Sequence, residues 1–192
     1  MKIILVGVAC VGKSTVGKLL ADSVGYKFID FDAEVEKHFN RPITLIKNQF
    51  FSEHGFRAKA QVVLHRILHE NSDNFVLTMP PGGLMDSYWR IIRADDSLTT
   101  IALKDSPENI LKRLVFYDDY SRPMASPVTH ENAWRYLREI KLDMRYFGRT
   151  HARAKFQKQI DGKGAAQVAE DLREMLGLQR LLRDNHFAEP DR

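Results

Sequence analysis

A chain of 192 residues, 44% hydrophobic and 28% charged, has apolar content for one folded α/β core and too much of it for a disordered polymer. Its net charge of +4 is spread along the chain with no dense basic run or aromatic stacking motif, which argues against a nucleic-acid partner and leaves small anions as the expected ligands. A single cysteine, Cys10, excludes an intrachain disulfide, and the apolar opening Ile3 to Val11 is too short to span a bilayer, so the expectation is a cytoplasmic monomer without a membrane partner.

The first predicted strand is Lys2 to Val6, and GVACVGKST (Gly7 to Thr15) turns from it into a helix that continues through Val16, Leu20 and Ala21. Strand, glycine-rich turn and helix are the context in which G-x-x-x-x-G-K-[ST] cradles phosphates. Gly7 and Gly12 permit backbone angles that a side chain would block, so successive N–H groups around Val11 to Thr15 can turn toward phosphate oxygens. The helix adds its positive end to the same place. Lys13 is then expected to reach the β and γ phosphates of ATP, and the Ser14 hydroxyl to ligate Mg²⁺. Cys10 lies within the loop, either as a small filler or as an oxidation site.

The second strand, Lys27 to Asp30, ends in FIDFD, Phe28 to Asp32. Strand carboxyl ends line the ligand crevice of an open parallel sheet, so both acids are candidates for the phosphate site. Asp30 can hold Mg²⁺ through water, and Asp32 can take the proton of an attacking hydroxyl. For Asp32 a helix N-cap is an equal alternative.

Farther along, Phe56, Ala60, Val63, Leu64, Ile67 and Leu68 share one face of a predicted helix. His65 and His69 on that helix have a metal-compatible spacing but no zinc-protease pattern around them, and read as a surface pair. Strands are predicted over Asn74 to Thr78 and Leu98 to Leu103, with MPPGG (Met79 to Gly83) following the first. Tyr117 to His130 lacks periodicity and reads as a flap or a solvated connection. A helix follows with Trp134, Leu137, Ile140, Met144 and Phe147 on one face, then a strand over Ala154 to Ile160. A last helix carries Val168, Leu172, Met175 and Leu176, and Arg183 to Arg192 reads as a frayed polar end.

The order of these motifs resembles the shikimate kinase family from the first strand to about residue 176. It runs GxxxxGKST, Asp30 and Asp32, Glu36, Phe56–Arg57, a glycine turn at Pro80 to Gly83, Ser121-Arg122-Pro123, and Arg145 on a helix. The resemblance implies a three-layer α/β P-loop kinase fold with a five-stranded parallel sheet flanked by helices. It implies one domain over residues 1–178, with a substrate-binding helical insertion over about 32–70, a lid over about 117–131, and a tail over 179–192. It further implies that Lys13 and Arg122 neutralise the transferring phosphoryl group and that Arg113 lies near adenine. Arg57, Arg145, Gly82 and Gly83 would meet the acceptor, and Asp32 would engage the hydroxyl that is phosphorylated. Guanidinium groups suit such roles because they present forked donors to carboxylate and phosphate. Read without the resemblance, Arg57 is equally a surface residue at a helix start, and Arg145, Arg149 and Arg153 a solvated basic stripe.

Two positions depart from the family pattern. Where the family has three glycines, Pro80 and Pro81 remove a backbone donor and fix φ. Where the family has a glutamate three residues after the FR arginine, this chain has Ala60, so the partner that would orient Arg57 is expected to be missing. The expected activity is transfer of the ATP γ-phosphoryl group, with Mg²⁺, to a hydroxyl of a carboxylate-bearing metabolite, shikimate favoured. A gluconate-type or other hydroxy-acid kinase is one alternative, and a nucleotide-binding module without transfer activity is another.

Overall fold

Short apolar runs alternating with amphipathic stretches produce parallel strands joined by crossover helices, because a strand returning to the same sheet in parallel needs a long connection. The computed structural model describes residues 1–181. In chain order the elements are β1 (Lys2–Val6), α1 (Lys13–Val24), β2 (Lys27–Asp30), α2 (Phe31–Phe39), α3 (Ile43–Lys47) and α4 (Glu53–Glu70). They continue with β3 (Phe75–Thr78), α5 (Asp86–Ile92), β4 (Leu98–Lys104), α6 (Pro107–Leu111), β5 (Phe116–Tyr117) and β6 (Pro123–Met124), then α7 (Ala133–His151), β7 (Phe156–Gln159) and α8 (Ala165–Met175).

Five strands form one parallel sheet in the order β2-β3-β1-β4-β7. Central β1 shows why a run such as Ile3-Ile4-Leu5-Val6 has no polar alternation: both faces are covered, and all four residues are fully buried. Ile4 and Val6 join Phe31, Phe56, Leu64 and Tyr88 on one side of the sheet. Ile3 and Leu5 join Leu20, Ile101, Val168 and Leu172 on the other. The three-layer expectation therefore holds, and α2, α3 and α4 lie between β2 and β3 in the chain.

Several boundaries and faces differ from the sequence reading. β7 begins at Phe156 because Arg153 and Ala154 turn back onto Thr150 and His151 at the end of α7. Trp134, expected on the buried face of α7, is 58% exposed, while Ile140, Met144 and Phe147 pack inward. Tyr117 to His130 contains all but Phe116 of a small antiparallel hairpin, β5 with β6. The Asp118 carboxylate shapes its turn by accepting from the Tyr120 and Arg122 amides, and the Ser121 hydroxyl donates to Glu36 Oε1 at 2.5 Å, tying the hairpin to α2. The expected polar end, Arg183 to Arg192, lies outside the described residues. Among the described residues no helix is long and apolar enough to cross a membrane.

Helix α1 can lie close on the sheet because Gly17 has no side chain. A Cβ there would sit 2.8 Å from the Thr78 methyl and 3.1 Å from the Phe28 ring. Gly17→Val is therefore expected to destabilise the fold by about 1–3 kcal/mol, the usual cost of overpacking a close contact, read from urea unfolding. An unchanged midpoint would mean that α1 does not rest on β3 as described.

Candidate active site

The phosphate loop is built by backbone conformations that its sequence makes affordable. Gly7 has φ 151° and Gly12 φ 107°, and a Cβ on Gly7 would lie 2.7 Å from the Leu103 carbonyl oxygen. Cys10 takes a left-handed φ of 57° within the same loop. Gly12 caps the start of α1, so the helix begins at Lys13 with its free amides toward the cavity. The Lys13 ammonium donates to the Gly7 and Val8 carbonyls at 3.0 and 2.9 Å. Burial lowers its pKa to about 8, against the opposing pull of Asp32, Cys10 and Asp30. Lys13, Ser14, Thr15, Asp30, Asp32 and Arg113 all line a cavity of about 590 Å³.

The two acids at the end of β2 have different tasks. Asp30 is the N-cap of α2: its Oδ1 accepts from the amides of Asp32 and Ala33 at 3.1 and 3.3 Å. Its Oδ2 accepts from the Ser14 hydroxyl at 2.8 Å and the Thr78 hydroxyl at 3.0 Å. The capping role that sequence allowed for Asp32 thus belongs to Asp30. Asp32, in the first turn, keeps Oδ1 buried with no hydrogen-bond partner among the described residues. Burial raises its pKa to about 6; Lys47 and Lys13 oppose this, while Asp30 and Glu36 add to it. The hydroxyl and carboxylate oxygens of Ser14, Asp30 and Thr78 are hard donors beside a phosphate loop, a set that fits Mg²⁺.

A second cavity, about 250 Å³, shares Pro80 and Pro81 with the first. Arg57 enters it from α4 and is only 7% exposed. The expectation that Arg57 has lost its orienting partner is overturned. Asp86, at the start of α5, accepts from Arg57 Nε at 2.9 Å, and Glu53 lies 3.8 Å from Nη1. Ala60 instead fills the hydrophobic core. Asp86 has a left-handed φ of 46°. Burial would raise its pKa, but hydrogen bonds from Arg57 and His54 prevail and hold it below the usual carboxylate range.

Other residues expected at the acceptor separate. Gly82 lines the second cavity. Gly83 does not: it packs behind the turn, where a Cβ would lie 2.4 Å from Met79 Cβ. Arg145 is also absent from this cavity and lies with Trp134, Leu137 and Arg138 along another groove. The reason is helical phase. Asp143, Tyr146 and Phe147 of α7 face the second cavity, and a residue two positions from both Asp143 and Phe147 projects nearly opposite. Arg113 braces the loop from below, donating to the Val11 carbonyl and pairing with Asp105. Arg122 lies on the hairpin, 72% exposed at its side chain and paired with Asp118 at 2.8 Å, so the structure does not bring it to Lys13. His65 and His69 are exposed.

The sequence reading missed Thr78, Asp86, Lys47, Asp143 and His151. Thr78 had a signal, since the strand-end rule that selected Asp30 applies equally to its register partner on β3. The others depend on contacts between distant segments. His151 is one of these: its Nε2–H, in the tautomer set by the contact, donates to the Pro81 carbonyl at 2.9 Å. Arg153 donates to the Leu84 carbonyl at 2.9 Å, so the end of α7 holds the proline turn at two points.

The sequence pattern of the shikimate kinase family matches residues 9–176. The chain belongs to the shikimate kinase family. It is thereby an ATP-dependent kinase by family. Shikimate kinase of Flavobacterium psychrophilum is 25% identical over 178 residues, 91% of this chain and 98% of the relative. That of Chlorobium limicola is 34% identical over 114 residues, 58% of this chain, and the match spans about half, 54%, of the relative's length. The solved shikimate kinase from Acinetobacter baumannii in complex with shikimate superposes with a TM-score of 0.68 at 26% identity, covering 92% of this chain and 93% of that one.

Burial lowers the pKa of His151, with Lys13 and Lys104 adding to the effect and the Pro81 contact opposing it. A base with a depressed folded pKa resists protons that the unfolded chain accepts, so its stability contribution is complete above about 6.5 and falls as pH drops below that. His151→Gln is expected to lose less unfolding free energy than wild type between pH 7.5 and 5.5 in urea titrations. Equal losses would mean that His151 is not buried as a neutral ring.

Proposed function

We propose that this protein transfers the γ-phosphoryl group of Mg·ATP to a hydroxyl of a small carboxylate-bearing metabolite, with shikimate, the compound bound by the Acinetobacter relative, as the first acceptor to try. The observation that carries this reading is the buried Asp32 oxygen, without a partner among the described residues, in the cavity that Lys13 also lines. A second cavity containing Arg57 adjoins it at Pro80 and Pro81.

In this reading the acceptor oxygen forms a bond to the γ-phosphorus while the bond from phosphorus to the β–γ bridging oxygen breaks, leaving its electron pair on ADP. The hydroxyl proton passes to Asp32, whose raised pKa suits a base working near neutrality. Lys13 exchanges the Gly7 and Val8 carbonyls for phosphate oxygens. Ser14 and, through water, Asp30 would hold Mg²⁺, which would supply charge neutralisation during transfer. Arg57, held by Asp86, offers its remaining N–H groups to the acceptor carboxylate. Closure of the hairpin would add Arg122 and exclude water. A non-transferring nucleotide module has no use for an unpaired buried carboxylate opposite the loop lysine, since such a group costs stability.

The test is ADP release from Mg·ATP with shikimate, with gluconate and with no acceptor. Lys13→Ala should lose at least about 100-fold in acceptor-dependent turnover. Asp32→Asn should lose about 100-fold or more in kcat while ATP affinity stays within about threefold. A parallel loss of ATP affinity would instead assign Asp32 to the metal, and wild-type turnover by Lys13→Ala would refute the site.

A further inference from the structure

The second cavity holds a neutral polar group for which the mechanism above has no use. Tyr88 lies on α5, two residues after Asp86; it is fully buried and borders this cavity beside Arg57, Pro80 and Pro81. Its ring meets Phe31, the neighbour of Asp32, edge to face with centroids 5.2 Å apart, within the apolar cluster that includes Phe56 and Leu84. Its hydroxyl has no hydrogen-bond partner among the described residues. A hydroxyl buried without a partner costs stability, so its presence calls for a reason.

The charges acting on the phenol locate it. Burial pushes its pKa up and the Asp32 carboxylate pushes it further, Arg57 pulls the other way, and Glu53 adds to the rise. The group therefore stays an O–H donor, in the field of the residues assigned above to the reactive hydroxyl and to the acceptor carboxylate. The proline turn beside it offers no such donor. Pro80 and Pro81 have no N–H, and their carbonyls already accept from the Gly83 amide at 2.8 Å and from His151 at 2.9 Å. A further hydroxyl on the acceptor would meet only ring carbons and bonded carbonyls along that turn.

We infer that Tyr88 is an acceptor-binding residue that sets specificity: its O–H donates to a hydroxyl of the acceptor other than the one phosphorylated, so that the site takes polyhydroxy acids and discriminates against acids with a single hydroxyl. This rests on the kinase reading above and narrows its substrate class. Discrimination follows because a ligand lacking that hydroxyl covers the phenol without pairing it, whereas one that carries it supplies the missing partner.

The test is Tyr88→Phe, which keeps the ring and removes only the oxygen. In urea unfolding without ligands the variant should be at least as stable as wild type, because the lost hydroxyl had no partner. A lower midpoint would mean that a partner already exists in the free protein, and would overturn the proposal. Binding to the ADP-saturated protein, read by calorimetry, compares shikimate with each of its monodeoxy analogues, and turnover is read by ADP release from Mg·ATP. Tyr88→Phe should weaken shikimate binding and raise the shikimate KM about 10-fold, with kcat and the KM for ATP within about threefold of wild type. One monodeoxy analogue should bind wild type and Tyr88→Phe equally to within about threefold, which identifies the hydroxyl that Tyr88 meets. An equal loss for shikimate and every analogue, no loss for shikimate, or no binding of shikimate to wild type would each remove the role of Tyr88. Failure of the kinase reading looks different: the preference that depends on Tyr88 would appear in calorimetry with no phosphoryl transfer to any compound. Turnover of shikimate at an unchanged KM in Tyr88→Phe would retain the kinase and discard the assignment of Tyr88.

Discussion

The carboxylate of Asp30 joins three parts of the site that are far apart in sequence. One oxygen caps α2, and the other receives hydroxyls from the phosphate-loop helix and from the end of β3. Strand, loop and helix are thereby fixed to a single planar group. Asp32 follows from this constraint: with Asp30 as the cap, Asp32 falls in the first turn of α2, near the positive end of that helix. The parallel sheet makes the arrangement possible by placing the ends of β1, β2 and β3 side by side.

Burial then prepares the two central groups in opposite directions. It disfavours charge on both, lowering Lys13 toward 8 and raising Asp32 toward 6. A cation that holds its charge weakly gains most when phosphate arrives, and a carboxylate whose basicity is raised is a better proton acceptor. The loop carbonyls that hold Lys13 are weaker partners than phosphate oxygens, so nucleotide binding is expected to draw the side chain outward. Around the second cavity, orientation comes from an ion pair and from hydrogen bonds to backbone carbonyls: Asp86 fixes Arg57, while His151 and Arg153 hold the proline turn.

Much of the nucleotide half was legible because it is local. The phosphate loop is nine consecutive residues with their own glycines, and Asp30 and Asp32 sit at a strand end whose place in a parallel sheet is predictable. The acceptor half was less legible because its contacts cross the chain. Asp86 meets Arg57 from 29 residues away, and no local pattern marks it. Arg145 had the right type on the right helix but the wrong phase, since a shift of two residues turns a side chain to the far side. Trp134 failed for the same reason: it lies about three turns from Arg145 on the same face of α7, away from the face that buries Ile140 and Phe147.

The account's central claim is that the Asp30-anchored site moves phosphorus to carbon-bound oxygen rather than to water. The most direct measurement is to follow the label from γ-³²P ATP in the presence of an acceptor and separate organic phosphate from inorganic phosphate. The account predicts label in a phosphorylated acceptor at a rate well above that of inorganic phosphate release. Label appearing only as inorganic phosphate, or remaining on ATP across hydroxy acids, would contradict it.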